Sequence, residues 1–384
     1  MANVYYCICV CVRSVRGARG VCVFAARAWE AVAECAAGAR RCGACGGGAA
    51  LRAPAHALPA LAAAARAAHA RLQPLLPARA ARWLADDDIV RFLRSLPNYR
   101  AALEHSAHTP QELKQAYERE AEILGSSLGD GEVSRREIVS DINVLADLAL
   151  LCESMDWLSE NIKTLPSFVS APTSAGTSLK LTEKFISEVS SAAAVLEDIS
   201  QKCLLFLHLE LRIECFHYLG QEERDEAAEG GGAEGGEGGA ARLAHALLAF
   251  HERAAAVLAP PRRAYIMNGL GEMMSAAVVW RWQSDRGAGE TGAAGARLAA
   301  LRHCLAALQL PHDGLHAAHA YLHLLACTPE EIITCVREKG PQFSELEYLN
   351  AFKVIGARRG LSAADMRTHL QRLAHALGHV GVTV

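Results

Sequence analysis

Four histidines, His312, His316, His319 and His323, stand at spacings of four, three and four in "HDGLHAAHAYLH". On a helix that spacing places all four on one face, where neutral imidazoles could hold Zn2+ or Cu2+. The run offers no carboxylates at offsets suited to orient the rings. Histidine also recurs in Ala-rich stretches such as "AAHARL" and "RLAHALL". Compositional drift therefore explains the pattern better than a site does, and a metal-binding helical protein built on this face stays as the alternative reading.

The other chemistry-bearing groups are weaker. Glu214-Cys-Phe-His217 is a Glu-x-x-His pair of the kind used by di-metal helical bundles, but such a site needs a second copy and two further carboxylates, and the sequence holds no second copy. Cys42-Gly-Ala-Cys45 is a lone C-x-x-C, with Cys7, Cys9 and Cys11 alternating upstream; structural zinc asks for two such half-sites. Asp86, Asp87 and Asp88 could face a metal or a basic partner, yet carboxylates at a helix start accept from its free N–H groups and complement its dipole. No phosphate-binding loop, dinucleotide fingerprint or nucleophile elbow occurs. We expect no catalytic, cofactor-binding or metal residues, no cofactor, and no enzyme activity. The C-terminal "GVTV", with Val382 and Val384 at alternate positions, could add as a strand to a PDZ-domain groove, which gives a PDZ-ligand adaptor as a further alternative.

Composition narrows the class of protein that must position these groups. The 384 residues allow two or three domains. Lys and Arg number 39 against 42 Asp and Glu, so charge gives no case for a nucleic-acid partner. Aromatics are 6% and Ala is abundant, which favours an all-α fold. Of 13 cysteines, those outside the first 45 residues sit singly in helical patterns, as buried cytosolic thiols do. No apolar run approaches the roughly eighteen residues that would cross a bilayer, and the N-terminus has its arginines after its apolar stretch, the reverse of a secretory signal.

The element signals are mostly helical. "ADDDIVRFLRSLPNY" starts a helix at the acidic triplet and stops at Pro97. Ser134 with Glu137 forms a capping box ahead of a stripe of Ile138, Ile142, Leu145, Ala149 and Cys152. "TLPSFVSAPTSAGTS" reads as a loop. Thr328-Pro329-Glu330-Glu331 opens a helix that Gly340-Pro341 closes, and Ser344/Glu347 and Ser362/Asp365 repeat the device. We expect residues 1–50 to be disordered or mis-predicted, 51–220 to form a first helical bundle, 221–241 a disordered Gly/Glu-rich linker, and 242–384 a second bundle.

One stretch resists periodicity. In "CLLFLHLELRIECFHYL", Leu205, Leu207, Leu209, Leu211, Ile213 and Cys215 alternate with Phe206, His208, Glu210, Arg212, Glu214 and Phe216 like a half-buried strand. The same residues put Leu204, Leu207, Leu211, Cys215 and Tyr218 on one helical stripe. The helical signals on either side favour the end of a long helix starting near Leu181, with Leu209 and Ile213 requiring cover on a second face.

"WLADDDIVRFLRSLPNY", "LLFLHLELRIECFHYL", "FSELEYLNAF" and the terminal "VTV", in this order, resemble the C-terminal half of the exocyst complex component 4 family. The likeness covers about 83–219 well and 328–356 fairly. It implies stacked antiparallel helical bundles forming an elongated rod, as in multisubunit vesicle-tethering complexes. It also implies a non-enzymatic scaffold that tethers secretory vesicles to the plasma membrane during exocytosis. Its partners would be other exocyst subunits, and its place the cytoplasm, peripheral at the plasma membrane and vesicles. Family members are longer, with N-terminal coiled-coil helices that this chain lacks.

Overall fold

The computed structural model describes residues 52–97, 99, 109–128, 133–171, 181–220, 238–255, 257–283 and 291–378, with a few positions between 30 and 37. Among the described residues there are fourteen α-helices from Arg52 onward and no strand. They are α1 (Arg52–Leu72), α2 (Ala78–Leu84), α3 (Asp87–Ser95), α4 (Pro110–Ser126), α5 (Ile142–Ser170), α6 (Glu183–Gly220) and α7 (Gly239–Ala255). There follow α8 (Pro260–Met267), α9 (Leu270–Gln283), α10 (Thr291–Ala307), α11 (His316–Ala326), α12 (Pro329–Lys339), α13 (Glu345–Arg359) and α14 (Ala363–Ala376). The expected all-α class holds.

The start signals are used as chemistry dictates. Asp86 caps α3 by accepting from the Asp88 and Ile89 amides, which satisfies two of the helix's free donors. Thr328/Glu331 and Ser344/Glu347 form reciprocal capping boxes on α12 and α13, and Ser362 accepts from the Asp365 amide on α14. Gly360 ends α13 at φ +65°, a left-handed conformation that suits a residue without Cβ.

Two expectations need correcting. The Ser134/Glu137 box closes only a 3-10 turn, Arg135–Glu137, after which Ile138 is extended; the long helix begins at Ile142 with Asp141 as its cap. Its side-chain carboxylate, closer to the apolar run, accepts from Asn143 and sets the start. The loop expected from Thr164 begins later, since α5 continues through Pro166 to Ser170. Proline there removes one N–H and crowds the preceding turn, a cost of about 3 kcal/mol. Leu165 and Val169, each 1% exposed, offset it by anchoring the last turns in the core.

The chain forms two compact units, each assembled from separate stretches. The first takes residues 1–102, 139–210 and 249–266, the second 103–138, 211–248 and 267–384. The consecutive division at 51–220 and 242–384 expected from sequence differs from this. Distant residues meet, as where the Tyr265 hydroxyl donates to the Leu93 carbonyl 172 positions away. Of the expected linker, 221–237 lies outside the described residues, and α7 already begins at Gly239.

In the first unit α5 and α6 run antiparallel. Ser159 Oγ donates to the Ala193 carbonyl at 3.0 Å and Ser200 Oγ to the Cys152 carbonyl at 2.9 Å, so positions approach in opposite order. Leu58 and Leu61 of α1, Leu151, Met155 and Leu158 of α5, and Phe185, Leu196 and Leu207 of α6 are fully buried. Arg262 of α8 is held by Glu153 at 3.0 Å and by Asp156.

In the second unit α9 packs with α4, α11 and α13. Its core includes Met273, Met274 and Trp282 of α9, Leu301 and Leu305 of α10, Tyr321 and Leu325 of α11, and Phe352 and Ile355 of α13. Trp282 stacks on Tyr321 with centroids 6.5 Å apart, and Phe343 meets both Tyr321 and Tyr348 edge-on. The thiols of Cys152, Cys203, Cys215 and Cys304 are unbridged and buried. Burial pushes Cys152 up to about 12 and Cys304 to about 11, which removes the reactive thiolate.

Candidate functional site

The stretch from Cys203 to Leu219 lies inside one helix, as the neighbouring signals require, and every apolar residue of it from Cys203 to Phe216 is buried. More unusual are the polar positions. His208, Glu210 and Arg212 are 0% exposed, Glu214 5% and His217 4%. Ionisable groups are so seldom fully buried that each must find a partner or change its charge.

Helical geometry sorts them, since successive residues turn by about 100°. His208 and Arg212, four apart, share one face of α6; Glu210, Glu214 and His217 share the opposite one. Both faces reach backbone groups of other segments.

Within the first unit, His208 Nδ1 lies 2.9 Å from the Tyr265 carbonyl, to which only a ring N–H can donate, and the imidazole stacks on the Tyr265 ring at 4.3 Å. The Glu210 carboxyl accepts from the Val139 amide through Oε1, in the extended lead-in to α5, while its Oε2 is buried without a hydrogen-bond donor. Burial raises the Glu210 pKa to about 7, and the Val139 N–H opposes that only in part.

Within the second unit, Arg212 Nε donates to Glu120 Oε1 of α4 at 2.9 Å, with both side chains 0% exposed. Its Nη2 reaches the Asn268 carbonyl at 2.6 Å. The next residue, Gly269, has φ +81°, and a Cβ there would lie 2.5 Å from the Tyr117 ring. The turn thus approaches α4 too closely for any other residue. His217 Nδ1 lies 2.7 Å from the Val133 carbonyl, and burial holds this histidine below its ordinary pKa. A neutral ring donating from Nδ1 fits both facts.

The companions that a di-metal Glu-x-x-His site needs are not gathered around Glu214 and His217 among the described residues. No cluster of three or more His, Cys, Asp or Glu able to hold a metal occurs there. The histidine run is placed differently again. His312 precedes a 3-10 turn, so only His316, His319 and His323 share helix α11, and all four are exposed. Asp86 is committed to capping α3, and Asp88 pairs with Arg91 at 2.9 Å. Cys7, Cys9, Cys11, Cys42, Cys45, Val382 and Val384 lie outside the described residues.

Sequence inspection gave no role to Arg212, Glu120 or Glu210. A signal existed for two of them: charges at every second position inside an otherwise apolar run cannot all reach water from a helix. Nothing in the sequence around Glu120, 92 positions away, pairs it with Arg212.

No helix among the described residues is long and apolar enough to cross a membrane. No protein-family model matches the chain. The chain is similar to exocyst complex component 4 of Drosophila melanogaster, 28% identical over 338 residues, which cover 77% of this chain and 34% of that protein. It is likewise similar to the Homo sapiens protein of the same name, 28% identical over 316 residues, 76% of this chain and 32% of that one. The Caenorhabditis elegans counterpart is 29% identical over 301 residues, 71% of this chain and 33% of that protein. The chain thus matches about a third of the length of these curated relatives.

Proposed function

We propose that this chain is the C-terminal portion of an exocyst component 4 subunit, a non-enzymatic helical scaffold through which secretory vesicles are tethered to the plasma membrane. The observation that carries this reading is the likeness over about three quarters of the chain to exocyst component 4 proteins of three animal lineages. The chemistry of the fold agrees with it. The buried ionisable groups of α6 hold turns and lead-ins of the chain itself, a use of polar groups that fixes one packing and leaves them unavailable for a substrate.

Its partners are other exocyst subunits, and it works in the cytoplasm, peripheral to vesicle and plasma membrane through the complex. The function of such a part is to keep its shape under load while offering helix surfaces to neighbours. A chimera joining the preceding two thirds of the fly relative to this chain, expressed in cells lacking the endogenous subunit, should co-purify with the remaining exocyst subunits and restore secretion. Recovery of none of them, from a chimera that is folded by circular dichroism, overturns the reading.

A further inference from the structure

In the first unit a groove of about 410 Å3 opens between α1 and α6. Its α6 side runs from Ser191 to Lys202, roughly 16 Å at 1.5 Å per residue, which is three helical turns. The floor is small and apolar, with Ala194 exposed and Val195 half-buried. The rim carries the cations Arg66 of α1 and Lys202 of α6, with the His69 imidazole of α1 beside them.

The charges in the groove do not cancel. Lys202 Nζ lies 2.8 Å from Asp198 Oδ2, so the one carboxylate of the lining is already matched. Arg66 has no ion-pair partner among the described residues. His69 is half-buried, and its pKa is held down first by that burial and then by Lys202, with Asp198 opposing. An imidazole kept neutral beside a cation gains most from a negative charge brought in from outside.

We propose that this groove receives an acidic amphipathic helix from another exocyst subunit, its apolar seam on Ala194 and Val195 and its Asp or Glu side chains between Arg66, His69 and Lys202. The length along α6 and the apolar Ala194 and Val195 favour a chain segment over a small anion or a lipid headgroup, because a phosphate held by the cations would leave those apolar side chains in water. The inference rests on the exocyst reading above.

The test uses the complex reconstituted from the chimera and the purified remaining subunits. R66E/K202E reverses two exposed charges and is expected to keep the helical signal of the parent. It should weaken subunit binding by about tenfold or more, with a loss that shrinks at high salt. In the wild-type complex, hydrogen exchange over residues 191–202 should slow and the His69 ring should titrate at higher pH than in the free chain. Assembly that proceeds equally in R66E/K202E, with neither change at residues 191–202 nor at His69, overturns the inference and leaves the exocyst reading standing. Failure of the wild-type chimera to bind any subunit overturns both. Protection of the groove by phosphoinositide vesicles, and not by subunits, overturns the peptide assignment.

Discussion

Two stretches of this chain carry side chains that elsewhere bind metals or move protons, and they sit in opposite environments. Between Cys203 and Leu219 the ionisable residues are buried, and those at His208, Glu210, Arg212 and His217 are bonded to other parts of the chain. Between His312 and His323 the histidines face solvent. The contrast separates residue type from residue role. In the first stretch, removing a polar group strands its partner in a dry interior; in the second, water replaces whatever is removed.

The largest effect is expected from R212M. It strips the guanidinium from a fully buried Glu120 and the donor from the Asn268 carbonyl, and should lower stability by about 3–5 kcal/mol. Urea unfolding measures this, and adding E120L should recover most of the loss, since two apolar groups need no partner. A loss under about 1 kcal/mol would place Arg212 with the exposed histidines.

Glu210 tests the same idea through pH. Its folded pKa of about 7 lies above the ordinary 4.5, so the folded chain holds its proton more tightly. This contribution to stability is complete below about pH 4.5 and disappears as pH rises through 7. E210Q keeps an acceptor for the Val139 amide without the charge. It should therefore gain on wild type as pH rises from 5 to 8, by on the order of 3 kcal/mol. Parallel stability curves for the two proteins would refute it.

His217 has the opposite sign. Burial depresses its pKa, so wild-type stability should fall as pH drops below about 6.5, the ordinary value. H217L should remove that slope while costing about 1–3 kcal/mol at neutral pH through the stranded Val133 carbonyl. The smallest effect belongs to the triple variant H316A/H319A/H323A, which should stay within about 0.5 kcal/mol of wild type. Its zinc and copper content by elemental analysis should equal that of the parent.

Much of this was legible in the sequence for a physical reason. Caps and boxes are local: Asp86, Thr328 and Ser344 act on amides two or three residues away, so their positions alone locate α3, α12 and α13. Helix α6 was also readable, starting two residues beyond the expected Leu181. What was not legible is long-range. Pro166 looks like a stop until the burial of Leu165 and Val169 is known. No local pattern tells that Arg212 meets Glu120, or that Arg66, His69 and Lys202 line one groove.

The partners of His208 and Arg212 on α6 bear on synthesis as well as on the finished molecule. Tyr265 and Asn268 lie 57 and 56 positions further along the chain. At roughly 5–20 residues per second, a ribosome takes several seconds to supply them. During that interval α6 emerges with the His208 imidazole unanswered and the Arg212 guanidinium met only by Glu120, which is made earlier. A stretch that is buried from Cys203 to His217 in the folded protein therefore waits, its apolar surface uncovered, for residues still to be made.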